Sequence, residues 1–158
     1  MGKFYSTKMF DNYSCSIRQH KAQHSHCKLQ HGYAFKFKVI FAPVDTSIND
    51  GLDDMNWVVD FGCFKPAPLG NGLKAWMDDM FDHTMLIEKD DPYLEFFQSM
   101  QMEGLCKLRV MDKMGAEHLA KLVFDKFNDV LSKTDAGRCK VVSVECFEND
   151  KNSAIYSE

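Results

Sequence analysis

Residues 31–41 read HGYAFKFKVIF. Tyr33, Phe35, Phe37, Val39 and Phe41 recur at every second position, with Lys36 and Lys38 between them. That period predicts a β-strand with one face in a core and the other in water, the mark of an antiparallel sheet. His31 is in phase with Tyr33 and is predicted to point inward. Immediately upstream, residues 23–33 read QHSHCKLQHGY, which crowds His24, His26, Cys27 and His31 into eight positions. Imidazole and thiolate ligate metals and, at a tuned pKa, move protons. Such density is not what packing alone asks for.

Working outward, residues 3–19 read as a strand region with a turn or bulge at Asp11-Asn12. Residues 43–55 are a polar loop with Pro43, Asn49, Asp50 and Gly51. Residues 56–62 (NWVVDFG) read as a short strand. Leu73, Trp76, Met77, Met80 and Phe81 follow helical spacing and predict a helix over 72–81. Asp91-Pro92 is a start signal and Gly104 a stop, which predicts a helix over 92–103. The longest apolar stripe runs from Ala116 to Leu131 and predicts a helix over about 115–132. A final strand over 138–147 places Val141, Ser143, Glu145 and Phe147 on one face. Strands and helices in runs, without regular βαβ alternation, indicate an α+β fold with an antiparallel sheet.

The chain has 158 residues, enough for one domain with a substantial core. A net charge of −4 carries no electrostatic footprint for nucleic acid. No apolar run reaches the length of a membrane span, and the first residues lack a signal peptide's apolar segment. A cytoplasmic location without membrane or nucleic-acid partners is therefore expected. Six cysteines without a CxxC pair fit reduced thiols, with Cys27 set apart by its histidine neighbours.

Three groups of residues have the chemistry for a site. His24 and His26 are two apart and share a face if extended. His31 follows five residues later, and a loop could fold the three around a zinc ion; His20 is a further candidate. A nearby imidazolium or metal would favour the Cys27 thiolate. Asp82-His83 follows a helix end, where an aspartate orienting an imidazole makes an acid–base pair. Glu145, on a strand face with Val141 and Phe147, needs a partner, and a ligand with paired N–H donors would satisfy it. Asp60 reads as a turn cap, and Glu117 as a first-turn residue that compensates a helix dipole.

Four motifs in order resemble the 6-pyruvoyltetrahydropterin synthase and 6-carboxytetrahydropterin synthase family. Cys27-Lys-Leu-Gln-His31-Gly-Tyr33 is similar to its Cys-x-x-x-His-Gly-His. Val58-Val59-Asp60-Phe61, followed by Lys65, is similar to its strand ending in Asp-Phe. Phe81-Asp82-His83-Thr84-Met85-Leu86 is similar to its Leu-Asp-His-x-x-Leu, and Val142-Ser143-Val144-Glu145 with Ala154-Ile155-Tyr156 to its closing strand and tyrosine.

The resemblance implies the tunnelling fold: a four-stranded antiparallel sheet with helices on one face, subunits joined in trimer or hexamer barrels, and active sites between subunits. Residues 90–112 then read as an insertion. It implies zinc chemistry on 7,8-dihydroneopterin triphosphate, yielding 6-carboxytetrahydropterin for queuosine and other 7-deazaguanines. Cys27 would be the base, Asp82 and His83 the proton relay, and Glu145 the anchor of the pterin edge. The alternatives are the 6-pyruvoyl product, or a non-catalytic pterin- or purine-binding paralogue. The family's metal takes a first-strand histidine and both histidines of His-Gly-His, where this chain has Tyr33. His24, His26 and His31 are the expected zinc ligands; His20 with Tyr33 or water is the other arrangement.

Overall fold

The computed structural model of the chain describes residues 2–158. Its strands are β1 (Ser6–Ile17), β2 (His31–Pro43), β3 (Thr84–Glu88), β4 (Leu108–Met111), β5 (Cys139–Phe147) and β6 (Ser153–Ser157). The helices are α1 (Leu73–Phe81), α2 (Leu94–Met102) and α3 (Ala116–Leu131). One six-stranded sheet has the order β4-β3-β1-β2-β5-β6. None of the described helices is long and apolar enough to cross a membrane.

The alternating stretch forms β2, the long central strand. Phe35, Phe37, Val39 and Phe41 are fully buried on its inner face. β1 pairs with it antiparallel, and the register shifts between Phe10 and Tyr13, where Asp11-Asn12 forms the expected bulge with Asn12 at φ 64°. Leu73, Met77 and Phe81 of α1, and Leu119, Val123 and Phe127 of α3, close the core over this face. Phe10 meets Phe64 and Phe127 edge-on, with centroids 5.7 and 5.3 Å apart. Each such ring contributes about 1.5–3 kcal/mol by leaving water.

Three expectations are corrected. The sheet has six strands, not four, and it is mixed: β3 runs parallel to both β1 and β4. Residues 56–62 form no strand. Asp60 instead caps the 3-10 turn Phe61–Phe64, its Oδ1 accepting from Gly62 N–H at 2.7 Å. Nor do all helices lie on one face. Leu86 joins the main core, whereas its neighbour Ile87 packs with Phe97 of α2 and Leu108 of β4 in a second cluster. Successive strand residues face opposite ways, so α2 covers the reverse face at the β3–β4 edge.

The stretch 90–112 is thus a folded excursion with its own small core. It turns back at Gly104, whose φ of +75° suits glycine and lets Leu105 N–H reach Met100 O at 2.9 Å.

Candidate functional site

The pairing of β1 with β2 builds the floor of the site. Ile17 stands opposite His31, and Cys15 opposite Tyr33. Paired residues share a face, so all four turn toward the core side of the sheet. His31 Nδ1–H donates to Leu29 O at 2.7 Å, which leaves Nε2 with its lone pair in the neutral ring. Its ring meets Tyr33 edge-on at 5.2 Å.

This environment does not suit a zinc ion at His31. Across the strand pair Ile17 is only 1% exposed and offers no donor. The Tyr33 phenol is raised above its ordinary pKa by burial, then by the charges of Glu148 and Cys27, so it holds its proton at neutral pH. His24 and His26 lie exposed on the loop after β1. Among the described residues the histidine, cysteine and carboxylate side chains gather at metal-ligating distance in one group of three, His20, Glu88 and Asp90, within 4.8 Å of one another. His24, His26 and His31 are not brought together, and no step below is routed through zinc. The geometry carries its own test. In a His20→Ala background, Ile17→His with Tyr33→His should add one tightly held zinc per subunit by metal analysis. No gain would mean that the strand pair does not aim these positions at one point.

The structure brings Glu148 near His31 and Tyr33 instead, with Glu117 next to it. Glu148 follows the last residue of β5, half-buried. Burial raises its pKa, Glu117 raises it further, and His31 partly offsets both. Glu117 lies in the first turn of α3, as expected, and folds back over Gly115. A Cβ on Gly115 would stand 3.1 Å from Glu117 Oε2 and 3.4 Å from Gln19 Nε2, and the backbone φ there is +112°. Those side-chain ends can give way, so it is the dihedral that favours glycine here.

Glu145 faces the other way. It pairs with Lys38, whose side chain lies on the face opposite Phe37 and Val39. A register shift between Ile40 and Phe41, whose partners jump from Ser143 to Val141, adds one residue and reverses the parity of β5. Val141 is therefore core, and so are Val144 and Cys146. The expectation that Glu145 shares a face with Val141 is corrected by that bulge. Glu145 accepts a hydrogen bond from Ser153 Oγ at 2.6 Å on the solvent side. The sequence points to Glu145 and not to Glu148, although an acid directly after a predicted strand is a visible signal.

Cys27 sits half-buried in the 3-10 turn His26–Lys28. Ser25 Oγ accepts from Cys27 N–H at 3.1 Å, and Gln19 N–H donates to Cys27 O at 2.7 Å, so the loop is folded back on the end of β1. His83 Nδ1 is 3.0 Å from Asp82 Oδ1, and its ring is 82% exposed. Its backbone, at φ 55°, is held by N–H donation to Ser14 O at 2.7 Å. His83 lines a cavity of about 650 Å³ with Ser14, Gly32, Tyr33 and Lys107, which Cys27 does not line. The His83 ring is thus open to solvent or a neighbour, and Cys27 is half-buried.

With this geometry in hand, the sequence matches the 6-pyruvoyl tetrahydropterin synthase family over residues 6–158. The chain belongs to that family. Among curated proteins none matches. Among solved structures, it is similar to an uncharacterized protein from Wolinella succinogenes, at 19% identity and a TM-score of 0.76, covering 100% of this chain and 99% of that one. It is also similar to the 6-pyruvoyl tetrahydropterin synthase of Caenorhabditis elegans, at 18% identity and a TM-score of 0.60, covering 100% and 97%. The corresponding enzyme of Plasmodium vivax follows at 7% identity and a TM-score of 0.63, covering 98% of both chains. At these identities the likeness establishes the shared fold.

Proposed function

We infer that this chain is a lyase-type tetrahydropterin synthase homologue that binds a dihydropterin, with 7,8-dihydroneopterin triphosphate as the substrate to try first. The observation that carries this reading is the half-buried Glu148 near His31 and Tyr33, with Glu117 next to it. A 2-amino-4-oxopyrimidine presents adjacent N–H donors along one edge. An ionised carboxylate accepts two of them at once, which fixes the ring's register.

Proton transfer follows from the remaining groups. A dihydropterin carries a C=N bond next to its side chain, so the ring itself accepts an electron pair. Cys27, as thiolate, removes the proton from the side-chain carbon attached to the ring, and the pair moves into the C=N bond. His83, held by Asp82, returns a proton to the ring, and the net change is an internal redox tautomerisation. The exposure of the His83 ring, 82% in the single chain, supports a homo-oligomer with the site completed between subunits. The 6-carboxy and 6-pyruvoyl products both begin from this step, and product analysis separates them.

Cys27→Ala is expected to lower turnover of 7,8-dihydroneopterin triphosphate at least about 100-fold, the ordinary worth of a positioned base. Pterin affinity, read by fluorescence titration, should hold. Unchanged turnover would sink the proposed role of Cys27. A second reading rests on Tyr33, which stands where the family's His-Gly-His has its second histidine, and on Ile17, which faces His31 across the strand pair without a donor. In that reading the chain binds the pterin without converting it, and wild type would bind but show no turnover.

A further inference from the structure

A second cluster lies where β1, β3 and the turn before α2 meet. The pterin reading does not use it, and the family resemblance draws on His20 alone, with Tyr33 and not with these carboxylates. His20 follows the end of β1, Glu88 ends β3, and Asp90 and Asp91 lead into α2. The His20 side chain is nine-tenths buried, and its Nδ1 has no hydrogen-bond partner. That atom stands 3.6 Å from Glu88 Oε2 and 3.9 Å from Asp91 Oδ2, while Nε2 stands 3.8 Å from Asp90 Oδ1. These gaps are too wide for hydrogen bonds. One imidazole gives an ion a single nitrogen, and one ligand atom from each of His20, Glu88 and Asp90 lies within 4.8 Å of the others. Two ligands about 2.1 Å from a tetrahedral metal stand roughly 3.4 Å apart, so an ion would draw these side chains slightly inward.

The charges agree. Glu88, Asp90 and Asp91 carry three negative charges. Arg18 is committed to Asp91 by two hydrogen bonds, at 2.5 and 3.1 Å. Lys21 Nζ fills the remaining space, 2.9 Å from Asp90 and 3.3 Å from Glu88, on a side chain that is 65% exposed. With Lys21 in place one negative charge is left over. With a dication in its place, the three negative charges meet Arg18 plus two and balance. An exposed ammonium leaves such a site at little cost, whereas the buried imidazole stays.

We propose that His20, Glu88 and Asp90 bind a divalent first-row transition-metal ion, with Lys21 as its displaceable stand-in. One imidazole with carboxylates favours Zn²⁺ or Mn²⁺ over Mg²⁺ and Ca²⁺, whose preferred shells are all oxygen. The ion would fasten the loop that carries Cys27 to the β3–α2 corner, because His20 and Cys27 belong to the same loop, folded on itself through Gln19.

The test is calorimetric titration of metal-stripped full-length protein with ZnCl2 and MnCl2, with melting temperature as a second readout. Wild type should take up one ion per chain. His24→Ala/His26→Ala/His31→Ala should do the same. His20→Ala should weaken binding by more than the roughly 10–100-fold typical of losing an outer partner, and Lys21→Ala should tighten it. Glu88→Gln, checked for folding by circular dichroism, should also lose the ion. Absence of uptake by wild type overturns the proposal. So does uptake that survives His20→Ala or disappears in the triple variant.

Discussion

Glu148→Gln should weaken pterin binding about 100-fold or more, whereas Glu145→Gln should change it by no more than about threefold. An ionised carboxylate that accepts two N–H donors makes two charge-assisted bonds of about 1.5–3 kcal/mol each. The amide can still accept one but meets the second donor with its own NH₂. A loss of about 2.8 kcal/mol is a factor of 100. Glu145 lies on the solvent face beside Ser153, where substitutions stay within about 0.5 kcal/mol. Fluorescence titration with a dihydropterin checks both, and equal losses, or a loss confined to Glu145→Gln, would refute the assignment.

The same glutamate sets a pH dependence. Its folded pKa is raised by burial and by Glu117. Ligand binding, which needs the carboxylate, should therefore decline with falling pH at a higher value than an ordinary glutamate would give. The stability effect has the opposite sense. Between its unfolded and folded pKa values the native state holds the proton more tightly, so stability falls as pH rises through that window. Above the folded pKa the ionised side chain is a standing penalty. Glu148→Gln should raise the melting temperature of ligand-free protein at pH 7, and the difference should close below the unfolded pKa. Lower stability of the variant at pH 7 would contradict the buried, like-charged setting.

Asp91→Ala should cost about 3–5 kcal/mol of folding stability, the range for breaking a buried ion pair by removing one partner. The Asp91 side chain is fully buried, and Arg18 is 16% exposed. Asp91 receives Arg18 Nε–H at 2.5 Å and Tyr93 N–H at 2.9 Å, and Arg18 donates onward to Lys28 O at 3.1 Å. The one carboxylate thus joins β1, the turn into α2 and the loop that carries Cys27. Such a loss is a large part of the 5–15 kcal/mol typical of a domain. Urea denaturation measures it through a lower midpoint at unchanged slope. Replacing the pair together, Arg18→Met with Asp91→Leu, should recover most of it, because no charge is then left unpaired. A loss below about 1 kcal/mol for Asp91→Ala alone would mean that the pair is effectively solvated.

The elements visible in the sequence were those with one wet face or a clear stop. β2 was legible because its lysines alternate with aromatics, and α3 because seven of its side chains bury one stripe. β3 (TMLIE) gave no alternation: four of its five residues are buried, since it lies between β1 and β4 with packing on both faces. A strand wet on neither face carries no period-two signal. NWVVDFG was misread because Val58 and Val59 are buried as a loop against the core, a tertiary fact with no local signature.

The sequence by itself determined the α+β class, the strand character of β1 and β2, a turn or bulge at Asp11-Asn12 and the three helices, and it named Cys27, Asp82 and His83 as candidates to move protons. These are local properties: periodicity, turn chemistry and side-chain type. Only the tertiary structure decided which glutamate lies near His31, because one extra residue in β5 inverts the parity that the sequence implied for Glu145. It also decided that Ile17, rather than a histidine, faces His31, and that His20 joins two carboxylates from β3 and the turn before α2. Which side chains converge depends on register and on contacts between residues nearly seventy positions apart, and no local window of the chain encodes either.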